Sequence, residues 1–137
     1  FLNIDKMNRE KLLELYKKYD LQKDDVYKHQ HYVIITRQGI EKIQAKENIT
    51  ITYEVVKCET NFAVFKANAY LSAKPNTILE TFGSALKGAN YKDGNCNSWY
   101  VAEMAEKRAL SRAVLKLTGF YELGVFGEDE SDDFKKK

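Results

Sequence analysis

"ITITYEVVKCETNFAVFKANAYLS", Ile49 to Ser72, decides the architecture. Ile49, Ile51, Tyr53 and Val55 alternate with Thr50, Thr52 and Glu54. A period of two sends each set to its own face of a strand. The second half repeats the pattern, with Phe65, Ala67, Ala69 and Leu71 opposing Lys66, Asn68 and Tyr70. The link "ETN", residues 59–61, is short enough for a hairpin. Strands are therefore predicted over 49–59 and 62–72. Downstream, "TILETFGSALKG", residues 77–88, supplies a third. Gly83 inside it marks a bulge or a close backbone approach. Three strands on short links make an antiparallel meander.

Beyond the meander, "ANYKDGNCN", residues 89–97, is rich in turn formers and holds the pair Asp93–Gly94. A long helix is predicted from about Ser98 to Thr118, with Ser98 as N-cap and Gly119 as the terminating glycine. At roughly 100° per residue, Ala109, Leu110, Ala113, Val114 and Leu117 form a broad sector that faces the sheet. Alanine there lets the two backbones come close. Glu103, Lys107 and Ser111 fall toward solvent. Arg108, Arg112 and Lys116 form a line, one cation per turn, about 6 Å apart. Such a row can neutralise two or three phosphates of an unpaired strand, in a salt-sensitive way. It can equally be a solvated face paired with Glu103 and Glu106, or a subunit contact.

Upstream, residues 5–19 read as a helix with Met7, Leu12, Leu15 and Tyr16 on one side. "VYKHQHYVIIT", residues 26–36, reads as one extended segment centred on Val33, Ile34 and Ile35. "RQGIEKIQAKEN", residues 37–48, reads as a short helix with Ile40 and Ile43 inward and Asn48 at its end. The expected fold is α+β. An antiparallel β-meander carries a long helix across it, a β-β-β-α core, preceded by an N-terminal helix and a strand–short helix unit.

The chain's 137 residues suit one domain, and Pro75 is its sole proline, so no linker divides it. The expected division is a folded domain over 1–127 and a charged, disordered tail over 128–137. Setting aside the five acids of residues 128–133 and the three terminal lysines leaves 19 basic and 15 acidic residues, a balance of +4. That permits an anionic partner without requiring one. Phe1 in place of an initiator methionine suggests an excised domain. Cys58 and Cys96 are lone thiols, which excludes a four-thiolate zinc site and points to a reducing cytosol. No apolar run approaches the roughly 20 residues of a membrane helix. His29 and His31 would share a face, but spacing offers no third ligand, so no metal is expected. With no Ser/His/Asp or Cys/His set and no phosphate-cradling glycine loop, neither enzymatic chemistry nor ATP or another cofactor is expected. Lys87, Tyr91, Lys92, Trp99 and Tyr100 interleave cations and aromatics around the turn-rich segment. Tyr91 and Trp99 can stack on unpaired bases, or serve as core or oligomer anchors.

Three segments together resemble a known arrangement. "HYVIITRQGIEKIQAKENITITYEVV" (31–56), "ETFGSA" (80–85) and "AEMAEKRALSRAVLKLTGFYELGVFGEDE" (102–130) resemble, in that order, parts of the single-strand annealing domain of the Rad-fifty-two superfamily. The "EKRALSRA" rhythm is also that of the phage-encoded annealing proteins. The likeness runs from about Val26 to Glu130. It implies a homo-oligomeric ring or filament with single-stranded DNA in a groove between sheet and long helix. The activity implied is ATP-independent annealing in DNA recombination and repair, in the cytoplasm of a bacterial or phage-infected cell. The family's groove cations carry over to Arg112 and Lys116, then to Lys107 and Arg108, with Arg37 from the strand–helix unit. This chain departs in its compact segment before the long helix, and in "SRAVLK" where relatives often carry adjacent basic residues. The acidic run at 128–133 would solubilise the protein, recruit a recombination or replication partner, or compete with DNA for the groove. The other reading is an oligomeric structural or adaptor protein of the same fold that binds no nucleic acid.

Overall fold

A computed structural model describes residues 2–29, 32–88, 94–96 and 99–129, with backbone alone for 2–7 and 29. The elements are α1 (Leu2–Lys18), β1 (Val26–His29), β2 (Tyr32–Ile35), α2 (Arg37–Glu47), β3 (Ile49–Cys58), β4 (Phe62–Leu71), β5 (Leu79–Leu86), α3 (Val101–Thr118) and β6 (Val125–Gly127). The fold is α+β: β3, β4 and β5 form an antiparallel meander and α3 packs across it.

Register follows from the alternation. Ile51 faces Ala69, Tyr53 faces Ala67 and Val55 faces Phe65, with a bulge between Val55 and Lys57. On β5, Thr81, Gly83 and Ala85 pair with Ala67, Phe65 and Ala63. The face under α3 is thus built of small residues, and Ala63, Ala67, Ala69 and Ala85 are fully buried. A side chain at Gly83 would run into the α3 backbone, at the Ala105 carbonyl and 2.5 Å from the Ala109 nitrogen. Ala105, Ala109 and Ala113 are fully buried on the helix side. Gly83 therefore marks close backbone approach, and the β4–β5 register runs through it without a shift.

Segment 26–36 corrects the expectation of one extended strand. It folds back on itself as the hairpin β1–β2, pairing Val26 with Ile35 and His29 with Tyr32. The three-residue β6, unforeseen in the sequence, joins β2 in parallel and completes a second small sheet. α3 begins at Val101, three residues later than expected, and Ser98 lies outside the described residues. The two helix exits fall where the sequence puts them: Asn48 closes α2 and Gly119 closes α3, both in the left-handed region. Thr36 caps α2 by accepting the Gly39 N–H at 3.2 Å.

The main core lies where α1, α2, the small sheet and α3 meet. Ile35, Ile40, Ile43, Val114, Leu115, Phe120 and Val125 are its large fully buried side chains. Each contributes about 1.5–3 kcal/mol of apolar burial. α1 is fastened to α2 through Tyr19, whose hydroxyl donates to Glu47 at 2.6 Å. That hydrogen bond, with Lys18 beside it, holds the Glu47 carboxyl below its usual range. Among the described residues no helix is long and apolar enough to cross a membrane.

Candidate nucleic-acid interface

α3 presents its cations differently from the expected ladder. Arg108 is 3% exposed. Its guanidinium donates to the Ser84 carbonyl at 2.7 Å, the Asn95 carbonyl at 2.7 Å and, through Nε, the Asp129 carbonyl at 3.1 Å. Three chain segments are held by one side chain, and Arg108 drops out of the expected exposed row. One turn on, Arg112 donates to the Phe82 carbonyl at 2.9 Å. Phe82 and Ser84 flank Gly83, so their carbonyls both point away from β4, along the outer edge of β5. Leu86 completes the series: its N–H donates to Asn95 Oδ1, and its carbonyl accepts the Asn95 and Cys96 N–H groups. The edge from Phe82 to Leu86 is therefore sealed by two helix arginines and a crossing loop.

Lys116, the last of the line, is exposed, with Nζ 5.2 Å from the Tyr121 ring centre. Lys107 is half-buried. Ser111, expected toward solvent, is 1% exposed because β6 runs over it. A Cβ at Gly127 would sit 2.7 Å from that of Ser111. The wheel missed this side of α3 because nothing in the sequence announced β6.

Arg37, first residue of α2, pairs with Asp129 at 3.0 Å, and its backbone N–H donates to Glu128 at 3.5 Å. Asp129 is itself 7% exposed and accepts from Ser111 at 3.4 Å. Glu128 and Asp129, placed by the sequence reading in the charged stretch after residue 127, thus make contacts with the folded residues. Composition hid this, since an acidic run looks like a tail whether or not its first residues find partners.

At the other end of α3, Lys87 places its ammonium 5.0 Å from the ring centre of Trp99. Trp99 is 65% exposed and Tyr100 73%. Tyr91 and Lys92 lie outside the described residues. The structure therefore brings Lys87 to Trp99 and sets Arg112 and Lys116 on successive turns. Arg37 is joined to the buried Arg108 through Asp129.

Three further features went unseen in the sequence. On the sheet face away from α3, Lys66 bridges Glu54 at 3.4 Å and Glu80 at 3.1 Å. The Glu80 hydrogen bond comes first among the causes that raise the Lys66 pKa. Beside this trio Phe82 and Leu86 stand 50% and 37% exposed. Alternation along β5 carries that signal, because the small residues must take the helix side. Asp25, 1% exposed, accepts from Lys42 at 2.7 Å and from the Gln22 N–H at 2.9 Å. Burial pushes its carboxyl up, but those two donors outweigh burial and hold it below the usual range. A groove of about 450 Å³ beside α1, lined by Arg9, Leu12, Leu13, Tyr16 and Lys28 among others, includes none of the expected contact residues. Among the described residues no three His, Cys, Asp or Glu side chains converge on a possible metal position.

Comparison with known proteins returns no relative: no family model, no curated protein and no solved structure matches this chain. The likeness to the annealing superfamily rests on the residues quoted above.

Proposed function

We propose that this protein binds single-stranded DNA and anneals complementary strands without ATP, as a homo-oligomer serving recombination and repair. The observation that carries the reading is the pairing of Lys87 with the exposed Trp99 at the start of α3. A large aromatic surface in water beside a cation suits an unpaired base and its phosphate. Arg112 and Lys116 extend the positive surface along α3. Lys107 and Arg37 are peripheral contacts, and Tyr91 and Lys92 remain contacts read from the sequence. Arg108 serves by position, fixing the loop that leads toward Trp99. The protein's part in annealing is to hold two backbones with bases open, while base pairing supplies the free energy.

A labelled oligonucleotide titrated at two salt concentrations tests this. Affinity should fall steeply as salt rises, and single strand should be preferred to duplex. Trp99→Ala should weaken binding by about 1–3 kcal/mol, the scale of one base–aromatic stack. Binding unchanged by salt or by that substitution rejects the reading. One observation favours an adaptor of the same fold: Phe82, Leu86, Trp99 and Tyr100 are all exposed apolar surface suited to protein contacts. Oligonucleotide binding absent at low salt would select it.

A further inference from the structure

The two margins of the meander end differently. On β5, Phe82 and Ser84 send their carbonyls out of the sheet to Arg112 and Arg108. Successive residues of a strand turn their backbone groups to opposite sides. Thr81, Gly83 and Ala85 therefore bond to Ala67, Phe65 and Ala63 of β4. Lys66 and Asn68 are left to bond to Glu54 and Thr52 of β3. Ile51, Tyr53 and Val55 must then turn their backbone groups outward. Gln44 donates to the Ile49 carbonyl at 3.5 Å, which agrees with that phase. Among the described residues no strand pairs with this margin. It also lacks the usual protection of an edge. Residues 49–55 hold no proline and no lysine, and the bulge comes only after Val55. Val55 and Val56 stand 60% and 57% exposed. α3 packs chiefly on β4 and β5 and reaches β3 least.

We propose that this margin is a two-fold interface with a second copy of the chain, β3 lying antiparallel against β3. Gln44 already serves Ile49, so the run left to bond is 51–55. Its midpoint, Tyr53, falls on the axis and faces its own counterpart. Ile51 then lies opposite Val55, and Thr52 opposite Glu54. Apolar side chains meet apolar ones across the seam. The one charge, Glu54, is held by Lys66 at 3.4 Å and meets a hydroxyl, so no like charges are brought face to face. A second copy thus complements the margin in pattern and charge, and satisfies the outward backbone groups of both chains at once. This gives the homo-oligomer of the reading above an interface, and rests on none of its nucleic-acid contacts.

The test is sedimentation of the full chain without oligonucleotide, joined to cross-linking. Wild type should sediment as a dimer or an even-numbered assembly of dimers. Val55→Lys should raise the dissociation constant of the pair by about 10-fold, the scale of losing two cross-strand contacts. Thr52 and Glu54 are both exposed, and across the seam they form a non-hydrogen-bonded pair about 4.5 Å apart at Cα, within disulfide reach. Thr52→Cys chains mixed with Glu54→Cys chains, each carrying Cys58→Ser, should therefore link under oxidised glutathione, while neither variant alone should. A monomeric or odd-numbered wild type would overturn the proposal. So would an assembly indifferent to Val55→Lys, or one in which the mixed chains link no better than either alone. Each of those results leaves the nucleic-acid reading standing, since oligonucleotide titration decides that separately.

Discussion

Arg108 shows what a cation can do when it is turned inward. Its five donors suit several acceptors at once. It satisfies backbone carbonyls from β5, from the 94–96 loop and from the segment after β6. Arg108→Ala should therefore cost about 3–5 kcal/mol, because one buried and two part-buried carbonyls lose their donor and a cavity remains. Urea unfolding measures this, and a loss under 1 kcal/mol would contradict the assigned role. The spacing of Arg108, Arg112 and Lys116 was legible in the sequence, but their fates were not. A helical wheel records angle and is silent about which neighbours close over each side. Asp25 carries a separate consequence. Its folded pKa lies below the unfolded value of about 3.9. The stability it contributes is therefore present above that value and lost as pH falls through the folded pKa. Melting temperature should drop on acidification below about pH 4, and Asp25→Asn should flatten that limb. An acid limb unchanged in the variant would refute the assignment.

At the scale of elements, the meander and α2 were readable because their patterns are long and regular. Strands over 49–59 and 62–72 emerge as Ile49–Cys58 and Phe62–Leu71, and the helix over 37–48 as Arg37–Glu47. The segments that escaped are short. β1 and β2 have four residues each and β6 has three, too few to display a period. They exist because tertiary pairing makes them strands, and no local pattern carries that information. The contact between β5 and α3 is where sequence and structure meet most tightly. Gly83→Ala forces a methyl into the α3 backbone, which cannot yield as a flexible side chain would. It should destabilise by about 3 kcal/mol or more, read as a lowered urea midpoint. A near-neutral effect would mean that helix and sheet sit further apart.

Over the whole molecule, α3 is the common support. The meander leans on one side of it, and β6, with α2 nearby, on another. The α+β class and the helix-on-meander layout were legible from alternation and turn chemistry. The candidate contacts were legible as residue types, while their sorting into buried and displayed groups depended on folding at both ends of α3. The closed margin of β5 has a consequence for assembly. Strand addition to the meander is left with β3, the outermost strand on the opposite side. Two copies joined there through β3 would use up each other's docking line, and the shared ribbon would stop at six strands. Any assembly of three or more copies must therefore draw on side-chain surfaces or on the outer strands of the small sheet, β1 and β6, and cannot grow by lengthening the meander.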